Sequence, residues 1–377
     1  MSNDILTLLD ATVKAGASDL HLSGGRPPLI RVRGEVAPVP GHDQLLDGQQ
    51  IQNEVFKLID DEQKARLTEQ LELDFSYDVP GLARFRVNTF FERKGMAMVA
   101  RVIPSVLPSA EELGLQPAII NLGHLHNGLV LVAGPTGSGK STTMASIINS
   151  INLREARHIL TIEDPMEFVF PVGKCLINQR EVGSSTRSFK NALRAGLRQD
   201  PDVILVGELR DLETISLAVS AAETGHLVFG TVHTTDAAST VDRLVDAFAP
   251  HQQQQIRSQL SNSLRAVVCQ QLLPRQDGRG RVAAREIMIV NYAIANLIRT
   301  GKAQEVPNAI LTGADVGMVL MDRDIKRLVD SGEVSLEVAR GKVKDPNLLA
   351  TMGGMGAMDT SNLSFESPPP KKKGFFG

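Results

Sequence analysis

The chain has 377 residues, more than one hydrophobic core usually organises, so at least two domains are expected. Its 40 Lys and Arg against 43 Asp and Glu leave a net charge of −3, with no Trp and 2 Tyr, which argues against a nucleic-acid binder built on bulk positive charge or aromatic stacking. Two cysteines, Cys175 and Cys269, stand far apart without metal-ligand spacing, which excludes a disulfide scaffold and a four-cysteine zinc module.

Ile5, Leu8, Leu9 and Val13 share one helical face, with Gly16 as the stop. No basic segment with an apolar core precedes them, and no apolar run approaches the ~20 residues of a membrane span. A cytoplasmic protein is expected, reaching a membrane only through a partner. Asp19–Ser23 alternates like a strand, Gly24–Pro28 turns the chain, and Leu29–Val36 alternates again. Gln49–Leu71 reads as one or two helices, and Leu73–Tyr77, Ala83–Phe90 and Met96–Ile103 as strands. Residues 1–103 thus form an α+β module without a catalytic motif. His21 points off a strand and reads as structural. Arg84 and Arg86, two apart on one strand, share a face, either solvated or offered to a phosphate site of another subunit.

A linker and helical lead-in follow over 104–127, broken by Pro104 and Pro108. From 128 to 290, strands and helices alternate, the pattern of a parallel sheet covered on both faces. Leu129–Ala133 is a buried strand. It runs into Gly134-Pro135-Thr136-Gly137-Ser138-Gly139-Lys140-Ser141, the full G-x-x-x-x-G-K-[ST] phosphate loop, and Thr142 continues into a helix. Triphosphate oxygens need donors without bulk, which glycine amides at a helix start provide. Lys140 reaches the β- and γ-phosphates and Ser141 offers its hydroxyl to Mg²⁺, so ATP and Mg²⁺ are the expected ligands. A glycine loop that merely turns the chain would not meet the pattern at every position.

The strand His158–Ile162 delivers Glu163-Asp164-Pro165-Met166-Glu167 to the ligand edge of the sheet, where the alternative is an exposed acidic turn. Lys190, Arg194 and Arg198 form a basic stripe that reads as a solvated helix face. Val203–Val206 is a buried strand followed by Gly207-Glu208, the Walker B arrangement, with Asp202 at the far end of the sheet. Leu227–Val232 ends in His233, which senses the γ-phosphate or is structural, and Asp236 suits a helix N-cap. Ala266–Leu273 and Val282–Val290 pair as a hairpin. Residues 291–345 read as a helical subdomain, with helices at Tyr292–Arg299, Pro307–Thr312, Gly317–Ser331 and Ser335–Lys342. Residues 346–377 read as a disordered tail, with a lysine run and two Phe at its end that could touch a membrane or a partner.

The set of motifs resembles the secretion and type IV pilus ATPases, and within them the PilT-like retraction motors. The likeness rests on Ala17–Ser23 with Pro27-Pro28, the phosphate loop, Ile162–Glu167, Asp200–Val203 with Gly207–Asp211, and Glu223–Leu227 with Thr231–Thr234. It implies an N-terminal PAS-like α+β domain, a RecA-like P-loop core and a C-terminal helical subdomain. It also implies a homohexamer that hydrolyses ATP to turn the PilC-like platform protein at the inner membrane's cytoplasmic face. A paralogous retraction ATPase is a further candidate partner, and nucleic acid is not one. The resemblance makes Glu208 the catalytic carboxylate and Glu163 a second acid. It has Arg84 and Arg86, with Arg101 as a further candidate, reach a neighbour's phosphates. Ala293–Arg299 resembles the retraction signature, with Ala295 and Thr300 in place of an arginine and an acid, so a PilU-like accessory motor is the alternative. A RecA-like nucleic-acid translocase is a second alternative.

Overall fold

Along residues 83–92 every second side chain is apolar or small, and Phe85, Val87 and Thr89 are buried while Arg84 and Arg86 face the other way. That alternation repeats through an antiparallel sheet of six strands. The computed structural model describes residues 4–32, 34–104 and 107–352. The strands are β1 (Asp19–Leu22), β2 (Leu29–Val32), β3 (Glu35–Pro38), β4 (Glu72–Val79), β5 (Ala83–Glu92) and β6 (Gly95–Ile103), in the order β3-β2-β1-β6-β5-β4. The helices Ile5–Lys14, Gly48–Val55 and Asp61–Gln70 pack Leu8, Leu9, Ile51, Val55 and Leu67 against Leu20, Phe85 and Val87 of the sheet. The single strand expected over Leu29–Val36 is instead a hairpin: Gly34, at φ 93°, turns the chain and Val32 pairs with Glu35.

The second sheet has seven strands: β7 (Gly128–Ala133), β8 (His158–Glu163), β9 (Leu176–Glu181), β10 (Val203–Val206), β11 (Leu227–Val232), β12 (Leu264–Pro274) and β13 (Arg281–Ile289). Their order is β13-β12-β7-β11-β10-β8-β9, parallel throughout except for β13. β7, β10 and β11 are buried along their whole length, as continuous apolar runs inside a parallel sheet must be. Separate apolar clusters fill the two faces, around Leu131, Ile162 and Val228 on one and Val130, Ile148 and Phe229 on the other.

Register decides what the sheet presents. Ala133 lies beside Val232, and Val206 beside Ile162, so the β7, β8, β10 and β11 ends form one edge. Glu163, Glu208 and His233 all sit at or just beyond those ends. Asp202 lies at the opposite end, where its carboxylate accepts from the His158 amide. Lys190 of the basic stripe pairs with Glu213.

Three departures from expectation follow the chain. β9 is an edge strand whose Asn178, Gln179 and Arg180 hide its alternation. The helix expected over Gly317–Ser331 begins only at Met321, because Gly317 takes φ 88° and Val319 bridges to Ile287 of β13. Residues 346–352 do not behave as a disordered tail: Pro346–Ala350 is helical, and Leu348 and Met352 pack beside Ile325 and Leu328 of the helix Met321–Asp330. The rest of the expected tail, 353–377, and Ser105 and Val106 of the expected linker lie outside the described residues.

Candidate active site

Gly134 leaves β7 at φ 147°, and a Cβ there would come within 2.3 Å of the Gln270 carbonyl oxygen, so only glycine fits between β7 and β12. The loop is fastened from below: Gln270 donates to the Ser138 carbonyl at 2.6 Å and accepts the Thr143 hydroxyl at 2.9 Å. Lys140 starts the helix Lys140–Arg154 and is 8% exposed. Its ammonium donates to the carbonyls of Gly134 and Pro135 at 2.8 and 3.1 Å. Burial lowers its pKa, against the pull of Glu208 and Glu167. Ser141 donates to Glu167 at 2.8 Å, which ties the loop to the acidic segment after β8. The Ser138 hydroxyl is buried without a hydrogen-bond partner among the described residues.

The two carboxylates at the neighbouring strand ends sit in opposite environments. Glu163 is half-buried, and the desolvation its surroundings impose raises its pKa although Thr161 and Gln179 donate to it. For Glu208, burial works in the same direction but loses. The guanidinium of Arg210 and the His233 ring, whose Nε2 lies 3.2 Å away, hold the carboxyl below its ordinary value. The Thr231 hydroxyl donates to the Gly207 carbonyl and fixes the turn that carries Glu208. These groups line a cleft of about 510 Å³ together with the phosphate loop.

The first sheet contributes one side chain to the cleft. Arg86 of β5 lines it, in the same chain as the phosphate loop. Arg84 shares the strand face, yet it is held by Asp78 at 2.8 Å and Glu181 at 3.3 Å and does not line the cleft. Arg101 donates to Asp19 at 2.8 Å. Arg281, at the start of β13, also lines the cleft. Its only sequence signal was its place after the hairpin turn, which gives no hint that β13 reaches the nucleotide edge. His21 is half-buried on β1, and its Nε2 has no partner among the described residues.

A family model described as Type II/IV secretion system protein matches residues 5–359. The chain belongs to this family. It is 51% identical over 343 residues to the type IV pilus retraction ATPase PilT of Pseudomonas aeruginosa, covering 91% of this chain and 99% of the relative. A twitching motility protein of Neisseria gonorrhoeae is 49% identical over 318 residues, covering 84% of each. A crystal structure of the pilus retraction motor PilT with bound ADP superposes with a TM-score of 0.86 at 44% identity, covering 92% of this chain and 98% of that one. The fold and the strand-edge cleft are therefore those of a nucleotide-binding ATPase of this family. No helix among the described residues is long and apolar enough to cross a membrane.

Proposed function

We propose that the chain is an ATP-hydrolysing motor that powers type IV pilus retraction, working as a homohexamer on an inner-membrane platform protein from the cytoplasmic face. The observation that supports this best is the pairing of a complete phosphate loop with two carboxylates whose pKa values are pushed in opposite directions at adjacent strand ends. Lys140, now bonded to its own loop carbonyls, is free to exchange them for the β- and γ-phosphates, and the unpartnered Ser138 hydroxyl is a further donor at the same place. Among the described residues no three His, Cys, Asp or Glu side chains gather to hold a metal alone. That suits Mg²⁺, which keeps waters and takes substrate phosphates as ligands. Ser141 and the neighbouring carboxylates are the oxygen donors that fit it, and the ion would neutralise phosphate charge.

Hydrolysis needs a water aimed at the γ-phosphorus, a proton acceptor, and charge balance as the bond to the β-phosphate oxygen breaks. Glu163 suits the acceptor, because a carboxylate with a raised pKa is a better base near neutral pH. Glu208 stays ionised and, through His233, connects the β10 end to the γ-phosphate position. Arg86 faces the charge that develops on the transferred group and on ADP. Residues 1–103 and 128–290 would act as the two moving parts, joined by 104–127, with 291–345 behind the core.

Purified chain should turn over ATP, and Lys140→Ala and Glu208→Gln should each reduce turnover at least about a hundredfold with unchanged melting. Normal hydrolysis by Glu208→Gln would remove its role. In cells, loss of this chain should give excess pili without twitching. Twitching that persists with reduced force would instead favour the accessory role left open by Ala295 and Thr300.

A further inference from the structure

Glu181 ends β9, beside Glu163 in the parallel register, at the edge of the core nearest the first sheet. It is 5% exposed. Its carboxylate accepts three donors from three separate places: the Ser76 hydroxyl of β4 at 2.6 Å, the Arg84 guanidinium of β5 at 3.3 Å, and the Met166 amide of the acidic segment at 3.0 Å. A buried carboxylate is costly unless it is paired and hydrogen-bonded, so these donors are required wherever Glu181 stays buried. Two of them belong to the N-terminal sheet. Arg84 is itself only 15% exposed, its Nε has no partner among the described residues, and it pairs with Glu181 and Asp78.

We propose that Glu181 is the latch that docks the N-terminal sheet on the core: by holding Ser76 and Arg84 it sets Arg86, two residues further along β5, in the nucleotide cleft. The same carboxylate fixes the Met166 amide, and through it the segment that carries Asp164 and Glu167. One side chain therefore positions cleft residues from both domains. Glu181 touches neither nucleotide nor attacking water, and acts through Arg86 and the acidic segment. Opening the sheet from the core separates two of the three bonds at once, because Ser76 and Arg84 move with β4 and β5 while the Met166 amide stays with the core. The latch has two positions, bonded and released, and released Glu181 would meet solvent. Arg84 thereby has a role that its shared face with Arg86 concealed.

This inference rests on the ATPase reading for its kinetic arm only. Glu181→Gln, which keeps the shape and removes the charge, and Arg84→Gln, which shortens the side chain and removes its charge, are made singly and together in the full chain. In each single variant kcat should fall roughly 10- to 100-fold, the cost of a misplaced charge-stabilising group. The KM for ATP should stay within about threefold, because the phosphate loop keeps its own contacts. The double variant should be no worse than the poorer single one, since each removes the same bond. Hydrogen exchange should quicken in both singles at 72–79, and at the Met166 amide in Glu181→Gln, with β7 and β11 unchanged. Unaltered turnover and exchange in the singles, or losses that multiply in the double, would overturn the latch. If the parent chain does not hydrolyse ATP the functional reading fails, and exchange at 72–79 still decides the latch.

Discussion

Glu163 carries a stability signature as well as a chemical role. Its pKa is raised in the fold, so at pH values below the unfolded value, about 4.3 for a glutamate, both states are protonated and nothing is lost. As pH rises the unfolded chain ionises first, unfolding releases a proton, and stability falls until the folded-state pKa is passed. Glu163→Gln keeps an oxygen for the Thr161 hydroxyl and the Gln179 amide and removes the charge. It should therefore melt a few degrees higher than the parent at neutral pH, and the difference should vanish in acid. Turnover should fall at least about a hundredfold, and the acid limb of the kcat/KM profile, set above the usual glutamate range, should disappear with it. Equal melting at neutral pH would mean that the burial of Glu163 costs the fold nothing. The sequence placed Glu163, Glu208 and His233 at strand ends because apolar runs mark where buried strands stop. It could not show that His233 after β11 joins Arg210 in holding one acid down while burial beside Gln179 of β9 lifts the other, since His233 and Gln179 come from different strands.

At the scale of elements, the helix Gly48–Val55 shows what local pattern fixes and what it leaves open. Asp47 and Gln50 form a reciprocal capping box, which starts the helix, and Ile51 and Val55 supply its apolar face. Where that helix lies is set by glycine. A Cβ on Gly48 would stand 2.3 Å from the Lys94 carbonyl oxygen and 2.6 Å from the Gly95 Cα, so helix and β5–β6 turn meet backbone to backbone. Gly48→Ala must push them apart and should cost about 1–3 kcal/mol. The loss should appear in hydrogen exchange across β5 and β6, while β7, β10 and β11 stay protected; an unchanged exchange pattern would refute the contact. Capping, alternation and apolar runs are written in neighbouring residues, and most strands and helices were legible for that reason. β9 was not, because an edge strand with Asn178, Gln179 and Arg180 on it lacks an apolar run. The hairpin at Gly34 and the late start at Met321 depended on one glycine conformation each.

For the whole molecule the question is which chain supplies the arginine. Residues 84 and 86 share a strand face, and sequence alone allows that face to serve a neighbour or its own chain. Within one chain, Ser76 and Arg84 of the first sheet bond the core edge at Glu181, and Arg86 lines the chain's own cleft. Rings mixed from two inactive variants separate these arrangements. Lys140→Ala keeps Arg86 but loses the phosphate loop's cation, and Arg86→Ala keeps the loop but loses the arginine. If a neighbour supplied the arginine, each boundary where a Lys140→Ala subunit faces an intact loop would regain a complete site, and mixing would restore a sizeable share of turnover. With the arginine in the same chain every subunit lacks either the cation or the arginine, so no ring contains a complete site and mixing should restore nothing. Arg86→Ala alone should reduce turnover roughly 10²–10³-fold, the scale for removing one preorganised charge-stabilising donor. Recovery of activity on mixing would place the arginine in trans, and the single-chain cleft would then be only half of the working site.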